Sequence, residues 1–173
     1  MSYNKLKSLV ANVEAIETAV NIHVQGRTAT TDEKEILSRY SGFGGIKEVL
    51  NIGTDNPVTD NMAEPLNRLE KALRTWTGED ETMYRTLIES IKASVLTAFY
   101  TPQFIVEAVA RQIHDTFQQN GLKMRSLLEP SAGIGGFLPV AMPGTHSYAF
   151  EKDCITGLIL SLLHDDTDTV TAG

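Results

Sequence analysis

A chain of 173 residues with one cysteine, Cys154, forms no intramolecular disulfide, and its four scattered histidines offer no Cys/His spacing of the metal-binding kind. Folding at this length buries about 70% of the unfolded surface, so a core without covalent staples is expected. The formal charge of −7 argues against holding nucleic acid by bulk electrostatics, and no apolar run approaches the roughly 20 residues of a membrane span, so a reducing, cytoplasmic setting is expected.

The first 98 residues read as helical. Leu6, Leu9, Val10, Val13, Ile16 and Val20 recur at helical spacing and form one apolar stripe. Thr30-Thr31-Asp32-Glu33 offers a capping box for a short helix through Ile36, Leu37 and Tyr40. Ser41-Gly42-Phe43-Gly44-Gly45 breaks that helix. Two readings of this segment stand: a phosphate cradle, for which the P-loop lysine and a preceding strand are missing, or a tight turn that lets Phe43 pack. Asn51 to Asp60 is a polar loop in which Asn56-Pro57 reads as a turn. Met62, Leu66, Leu69, Leu73 and Trp76 mark another helix, and Glu79-Asp80-Glu81 open the next, which carries Met83, Leu87, Ile91 and Val95.

From Phe99 onward helix and strand alternate. Thr101 and Pro102 are suited to the N-cap and first turn of a helix through Phe104, Ile105, Val109, Ile113 and Phe117, stopped by Asn120-Gly121. Arg125 to Glu129 reads as a strand, Ser131 to Gly136 as a glycine turn, Phe137 to Met142 as a short helix and Ser147 to Glu151 as a second strand. A helix over Ile155 to Leu163 and a third strand at Thr169-Val170-Thr171 complete the pattern, which implies a parallel sheet. Residues 99–173 hold eight acids against four bases, so this half repels phosphate.

The chemistry concentrates in Leu127-Leu128-Glu129-Pro130-Ser131-Ala132-Gly133-Ile134-Gly135-Gly136-Phe137. A strand that ends in an acid and turns through Gly133 and Gly135 can bring backbone amides close to a ligand, although a lone Gly-x-Gly is equally consistent with a plain turn. Glu151 ends the next strand, 22 residues after Glu129, near the spacing at which a carboxylate accepts from ribose hydroxyls. With no Lys or Arg beside the turn to match phosphates, a ligand with ribose, adenine and a cationic centre is favoured. His114 and His164 read as surface or helix-end residues, Cys154 as packing, and Asp165, Asp166 and Asp168 as a solvated loop.

The Glu-Pro-Ser-Ala-Gly-Ile-Gly-Gly-Phe run resembles the cofactor motif of adenine-N6 DNA methyltransferases, including type I modification subunits and the methylase-helicases of mobile elements. Ala98-Phe99-Tyr100-Thr101-Pro102 is similar to that family's Phe-Tyr-Thr-Pro segment. The resemblance implies an α/β fold, a partial Rossmann-like S-adenosylmethionine-dependent methyltransferase sheet over residues 99–173, preceded by a helical N-terminal region over 1–98. It implies S-adenosylmethionine as cofactor, with Glu129 on the methionine ammonium and Gly133 and Gly135 on the methionine moiety through their backbone. Glu151 would hold the ribose, Lys152 or Asp153 would flank the adenine, and Phe99, Tyr100 and Thr101 would close the other side. Ser131 is either structural or in direct contact.

The family's Asn/Asp-Pro-Pro-aromatic signature, which holds an extruded adenine, does not occur in the chain. The expectation is therefore a portion truncated before its catalytic motif, inactive alone, engaging DNA only within a complete enzyme. A sheet edge left unpaired would favour self-association. Two alternatives remain: a methyltransferase acting on small molecules or proteins, and a non-catalytic binding or assembly module of a mobile element that keeps the fold as scaffold.

Overall fold

Helix dominates the chain. The computed structural model describes residues 4–54, 58, 60–165 and 167–171, and divides into two units, Met1–Phe99 and Tyr100–Gly173. Asn56 and Pro57, read above as a turn, lie outside the described residues, as does Asp166.

Among the described residues, every regular element of the first unit is a helix. α1 (Lys5–Gln25) starts where the Asn4 side chain accepts from the Lys7 amide and stops at Gly26, whose φ of 61° is cheap only for glycine. Its stripe of Leu9, Val13, Ile16 and Val20 is buried, against α3 (Ala63–Thr77) on one side and α2 (Thr31–Leu37) on another. The capping box forms: the Glu33 amide donates to Thr30 Oγ1 at 3.3 Å, and the Thr30 amide donates to Glu33 Oε2 at 2.9 Å. Hydrogen bonds from Arg27, with those from Thr30, bring the Glu33 carboxyl down to about 2. α4 (Glu81–Ser94) follows, capped by Asp80, which accepts from the Met83 amide.

The Ser41–Gly45 segment is a packed turn. The Asn12 side chain, fully buried in α1, donates to the Gly42 carbonyl at 2.6 Å and accepts from the Ser41 amide at 2.8 Å. Phe43 is completely buried, and the Gly45 amide donates to the Val95 carbonyl beyond α4. A Cβ on Gly44 would run into the Ala98 carbonyl. Of the two sequence readings, the arrangement is that of the tight turn around Phe43.

In the second unit, α5 (Gln103–Gln119) is followed by β1 (Ser126–Glu129), β2 (His146–Glu151), α6 (Cys154–Leu163) and β3 (Asp168–Thr171). The strands are parallel, in the order β1-β2-β3, with Leu128 beside Tyr148 and Glu129 beside Ala149. One face carries the small core of Ala132, Leu138, Ala149 and Leu160, with Leu127 packed on it. The other face leaves Leu128, Tyr148 and Phe150 exposed.

That arrangement corrects the expected fold class. Among the described residues the chain is mostly helical, with six α-helices and a small parallel sheet, and it is not a Rossmann-like S-adenosylmethionine methyltransferase fold. The physical reason lies in the sheet's faces. A doubly wound sheet is buried on both sides and its strands read as continuous apolar runs. Here β1 and β2 alternate, with Leu127, Glu129 and Ala149 covered and Leu128, Tyr148 and Phe150 open. Two smaller expectations also change. Pro102, not Thr101, caps α5, with no side-chain bond to its first turn, and the short helix after Phe137 is a single 3-10 turn over Leu138–Val140.

Candidate functional site

β1 and β2 run parallel, so Glu129 and Glu151 reach the same end of the sheet, and the glycine turn between them crosses that end. Each strand supplies a carboxylate to the turn. Glu151 Oε2 accepts from the Gly133 amide at 2.8 Å, while its Oε1 accepts from the Asp153 amide at 2.9 Å. Glu129 Oε1 accepts from the Phe137 amide at 3.2 Å. A third hold comes from the end of α6, where His164 Nε2 lies 3.0 Å from the Ile134 carbonyl oxygen. His114 Nε2, on α5, lies 2.8 Å from the Val140 carbonyl oxygen. Both histidines therefore brace the turn region and are half-buried, a role their isolated positions in the sequence did not signal.

Gly133 (φ 57°) and Gly135 (φ 83°) occupy left-handed backbone conformations. Their closest neighbours belong to the protein. A Cβ on Gly133 would collide with the Tyr100 ring, and one on Gly135 would stand 2.6 Å from both His164 Nε2 and Leu138. The turn's amides are also largely engaged: Ala132 donates to Phe150, Gly135 to Ala132 and Leu138 to Gly135. A phosphate cradle needs amides free to donate, so this turn is unsuited to a phosphate.

Tyr100 lies over the turn. Its ring rests on Gly133 and its hydroxyl is hydrogen-bonded to Thr156 in the first turn of α6. Burial pushes that hydroxyl above the ordinary phenol range, and the carboxylates of Glu151 and Asp153 add to the effect while Thr156 opposes it. Asp153 is the N-cap of α6, accepting from the Thr156 amide at 2.7 Å and from its hydroxyl at 2.6 Å.

The sequence-derived site residues thus fall into groups. Tyr100, Gly133, Glu151 and Asp153 converge in one cluster. Gly135 sits in the same turn, packed on His164; Ser131, at the start of the turn, and Lys152, after β2, are exposed. Thr101 is exposed at the start of α5. Phe99 belongs to the helical unit, 71% exposed, with its ring beside Gly44. Glu129 is 8% exposed; burial raises its carboxyl above the ordinary range against the lowering effect of the Phe137 amide, and its Oε2 has no hydrogen-bond partner. Among the described residues no group of three or more His, Cys, Asp or Glu side chains could hold a metal ion, and no helix is long and apolar enough to cross a membrane.

The fold and site define a helical unit joined to a small parallel α/β unit whose glycine turn is gripped by two strand-end carboxylates. In comparisons with known proteins, the chain is similar to "Defense against restriction protein B" of Escherichia phage P1, 26% identical over 165 residues that make up 95% of this chain. The chain spans about a twentieth of that relative's length, 5%. No family model matches, and no solved structure matches. These findings correct the resemblance to adenine-N6 DNA methyltransferases: the matching relative is a restriction-defence protein, and neither a family model nor a structural neighbour supports membership of that family. Short motifs such as Glu-Pro-Ser-Ala-Gly-Ile-Gly-Gly-Phe and Phe-Tyr-Thr-Pro can arise from turn and helix-start chemistry alone.

Proposed function

We propose that the Tyr100–Gly173 unit binds S-adenosylmethionine as part of a longer protein, in which the donor would serve methylation of adenine N6 in DNA. The observation that carries this reading is the convergence of Tyr100, Glu151 and Asp153 on Gly133 at the carboxyl end of parallel strands, the end at which ligands bind in such sheets. In this reading the Glu151 carboxylate, with lone pairs beyond the two amides it serves, accepts from the ribose hydroxyls. The Tyr100 ring offers a face to the adenine, and Thr101, Ser131, Gly135 and Lys152 border the ligand. The charge of −7 and the lack of an Asn/Asp-Pro-Pro-aromatic segment in this chain support a portion that is inactive alone and binds DNA weakly or not at all. The phage relative's name, defence against restriction, supports a role connected with restriction.

Calorimetric titration of the full chain with S-adenosylmethionine tests the reading. Saturable binding that Glu151→Gln weakens at least ~10-fold is expected. No heat at millimolar ligand, or equal binding by the variant, overturns it.

A second reading is favoured by one observation: both Glu151 oxygens already hold backbone amides, the work of a scaffold. In it the unit is a non-catalytic assembly module, and the outer edge of β1, beside the open face of Leu128 on β1 and Tyr148 and Phe150 on β2, pairs with a second copy. Sedimentation showing a concentration-dependent dimer supports this reading, and a monomer at all concentrations removes it.

A further inference from the structure

A cavity of about 390 Å³ lies in the second unit, at the opposite end of the sheet from Glu151. Ser147, near the start of β2, borders one side, and His164 and Thr167, between α6 and β3, border the other. Neither Tyr100, Gly133, Glu129 nor Glu151 lines it, so it is separate from the cluster described above. The volume falls within the range of small-molecule sites, in which a few polar groups fix the orientation of the ligand.

Two side chains give the cavity its chemistry. His164 Nε2 lies 3.0 Å from the Ile134 carbonyl oxygen, which can only accept, so Nε2 carries the hydrogen and, in the neutral ring, Nδ1 is left as an acceptor. The ring edge that meets Gly135 is Nε2–Cδ2, and Nδ1 is the vertex opposite that edge, so it points away from the turn. Among the described residues nothing donates to Nδ1, and it is not sealed from solvent. The Ser147 hydroxyl, half-buried, is likewise without a partner among the described residues and open to solvent. The Thr145 hydroxyl is already occupied, accepting from the Met142 amide at 3.1 Å and donating to the Met124 carbonyl at 3.2 Å.

Leu138, Pro139 and Met142 supply hydrocarbon to the lining, and no Asp, Glu, Lys or Arg borders the cavity among the described residues. An ion entering would lose hydration and meet no opposite charge, and a polyol would leave hydroxyls unpaired against the hydrocarbon. A primary carboxamide carries an N–H donor and a carbonyl acceptor on separate atoms. That matches an imidazole acceptor and a hydroxyl donor that are not bonded to one another.

From this geometry we infer a binding site, independent of the methyl-donor reading, for a small uncharged molecule with one primary carboxamide on an apolar body. The amide N–H donates to His164 Nδ1, the Ser147 hydroxyl donates to the amide carbonyl, and the body lies against Leu138 and Met142. Through its other nitrogen the His164 ring connects this site to the glycine turn.

The probes are benzamide and two compounds of the same shape: benzoate, which lacks the donor, and benzamidinium, which lacks the acceptor. Each is titrated into the full chain with isotope-labelled histidine rings and followed by NMR at about pH 8, where an imidazole is ordinarily neutral. Benzamide should move the His164 Nδ1 signal saturably, the signal being identified by its loss in His164→Asn. It should bind at least ~10-fold more tightly than either counterpart. Ser147→Ala should weaken benzamide at least ~3-fold while thermal unfolding shows the chain still folded. Ser147→Val, suited to a strand, should fill the cavity and abolish binding.

Four outcomes overturn the inference: a His164 Nδ1 signal that does not move, equal affinity for benzoate or benzamidinium, undiminished benzamide binding by Ser147→Ala, or displacement of benzamide by S-adenosylmethionine. The last would merge the cavity with the methyl-donor site. Benzamide binding with the expected pattern supports the inference whether or not the chain binds S-adenosylmethionine, so the two readings fail separately.

Discussion

The two units bury their apolar side chains to very different degrees. In the helical unit Leu9, Ile16, Phe43, Leu69, Leu73, Leu87 and Ile91 are all sealed, and α1, α3 and the Ser41–Gly45 turn interlock through Asn12 and the Arg68–Glu17 pair at 2.6 Å. The second unit buries a smaller set, Val106, Ala132, Leu138, Val140, Ala149, Ile155, Ile159 and Leu160 among the described residues, and leaves Phe104, Val109, Leu128, Tyr148 and Phe150 exposed or partly so. Native chains rarely leave so many large apolar groups unburied together unless something binds there. The first unit reads as the stable platform, and the second holds the glycine turn and Glu129, one of the buried carboxylates with an unpartnered Oε2.

Cutting the same side chain from each core is the strongest way to break that contrast. Leu73 and Leu160 are both fully buried, Leu73 in the helical unit and Leu160 in the cluster with Ala132, Leu138 and Ala149. Leu73→Ala should cost about 3–5 kcal/mol, and Leu160→Ala nearer ~2–3 kcal/mol because a small cluster collapses more readily around the void. Denaturant melts of the full chain measure both, and equal losses would erase the distinction between the units.

Within the second unit, Gly133→Ala should cost roughly 2 kcal/mol, since the new methyl meets the Tyr100 ring at a positive φ. Gly136→Ala, with open space around it, should stay within about 0.5–1 kcal/mol of the parent, as judged by thermal unfolding. If the two substitutions behave alike, the Tyr100–Gly133 contact is not what shapes the turn.

The smallest expected effect concerns pH. Burial raises the Glu129 carboxyl in the folded chain, so the folded form binds this proton more tightly than the unfolded form, whose value is about 4.3. The stability it contributes is complete below that unfolded value and is lost as pH rises through the raised folded one. Glu129→Gln removes the titration. The variant's melting temperature relative to the parent should therefore climb between acidic and neutral pH. A difference independent of pH would show that the carboxylate finds a donor in solution.

Much of the local structure was legible. Leu9, Val13 and Ile16 at helical spacing, the Thr30/Glu33 box, Asp80 before α4 and the Asn120-Gly121 stop each act through neighbours three or four residues away, so periodicity and capping rules reach them. The glycine turn was legible as a turn, since Gly133 and Gly135 need positive φ. The partners of those glycines were not: Tyr100 and His164 arrive from 33 and 29 residues away along the chain, and no local rule links them. The same holds for Asn12, whose bonds to Ser41 and Gly42 span about thirty residues.

By itself, then, the sequence determined where helices begin and end, which faces are apolar and where the backbone must turn left-handed, because those properties depend on each residue and its near neighbours along the chain. Only the tertiary structure decided that one face of the sheet stays open, that Glu151 grips Gly133, and that Glu129 is buried with one oxygen unpaired. Such facts depend on which distant segments meet, and burial, desolvation and hydrogen-bond satisfaction are properties of that meeting.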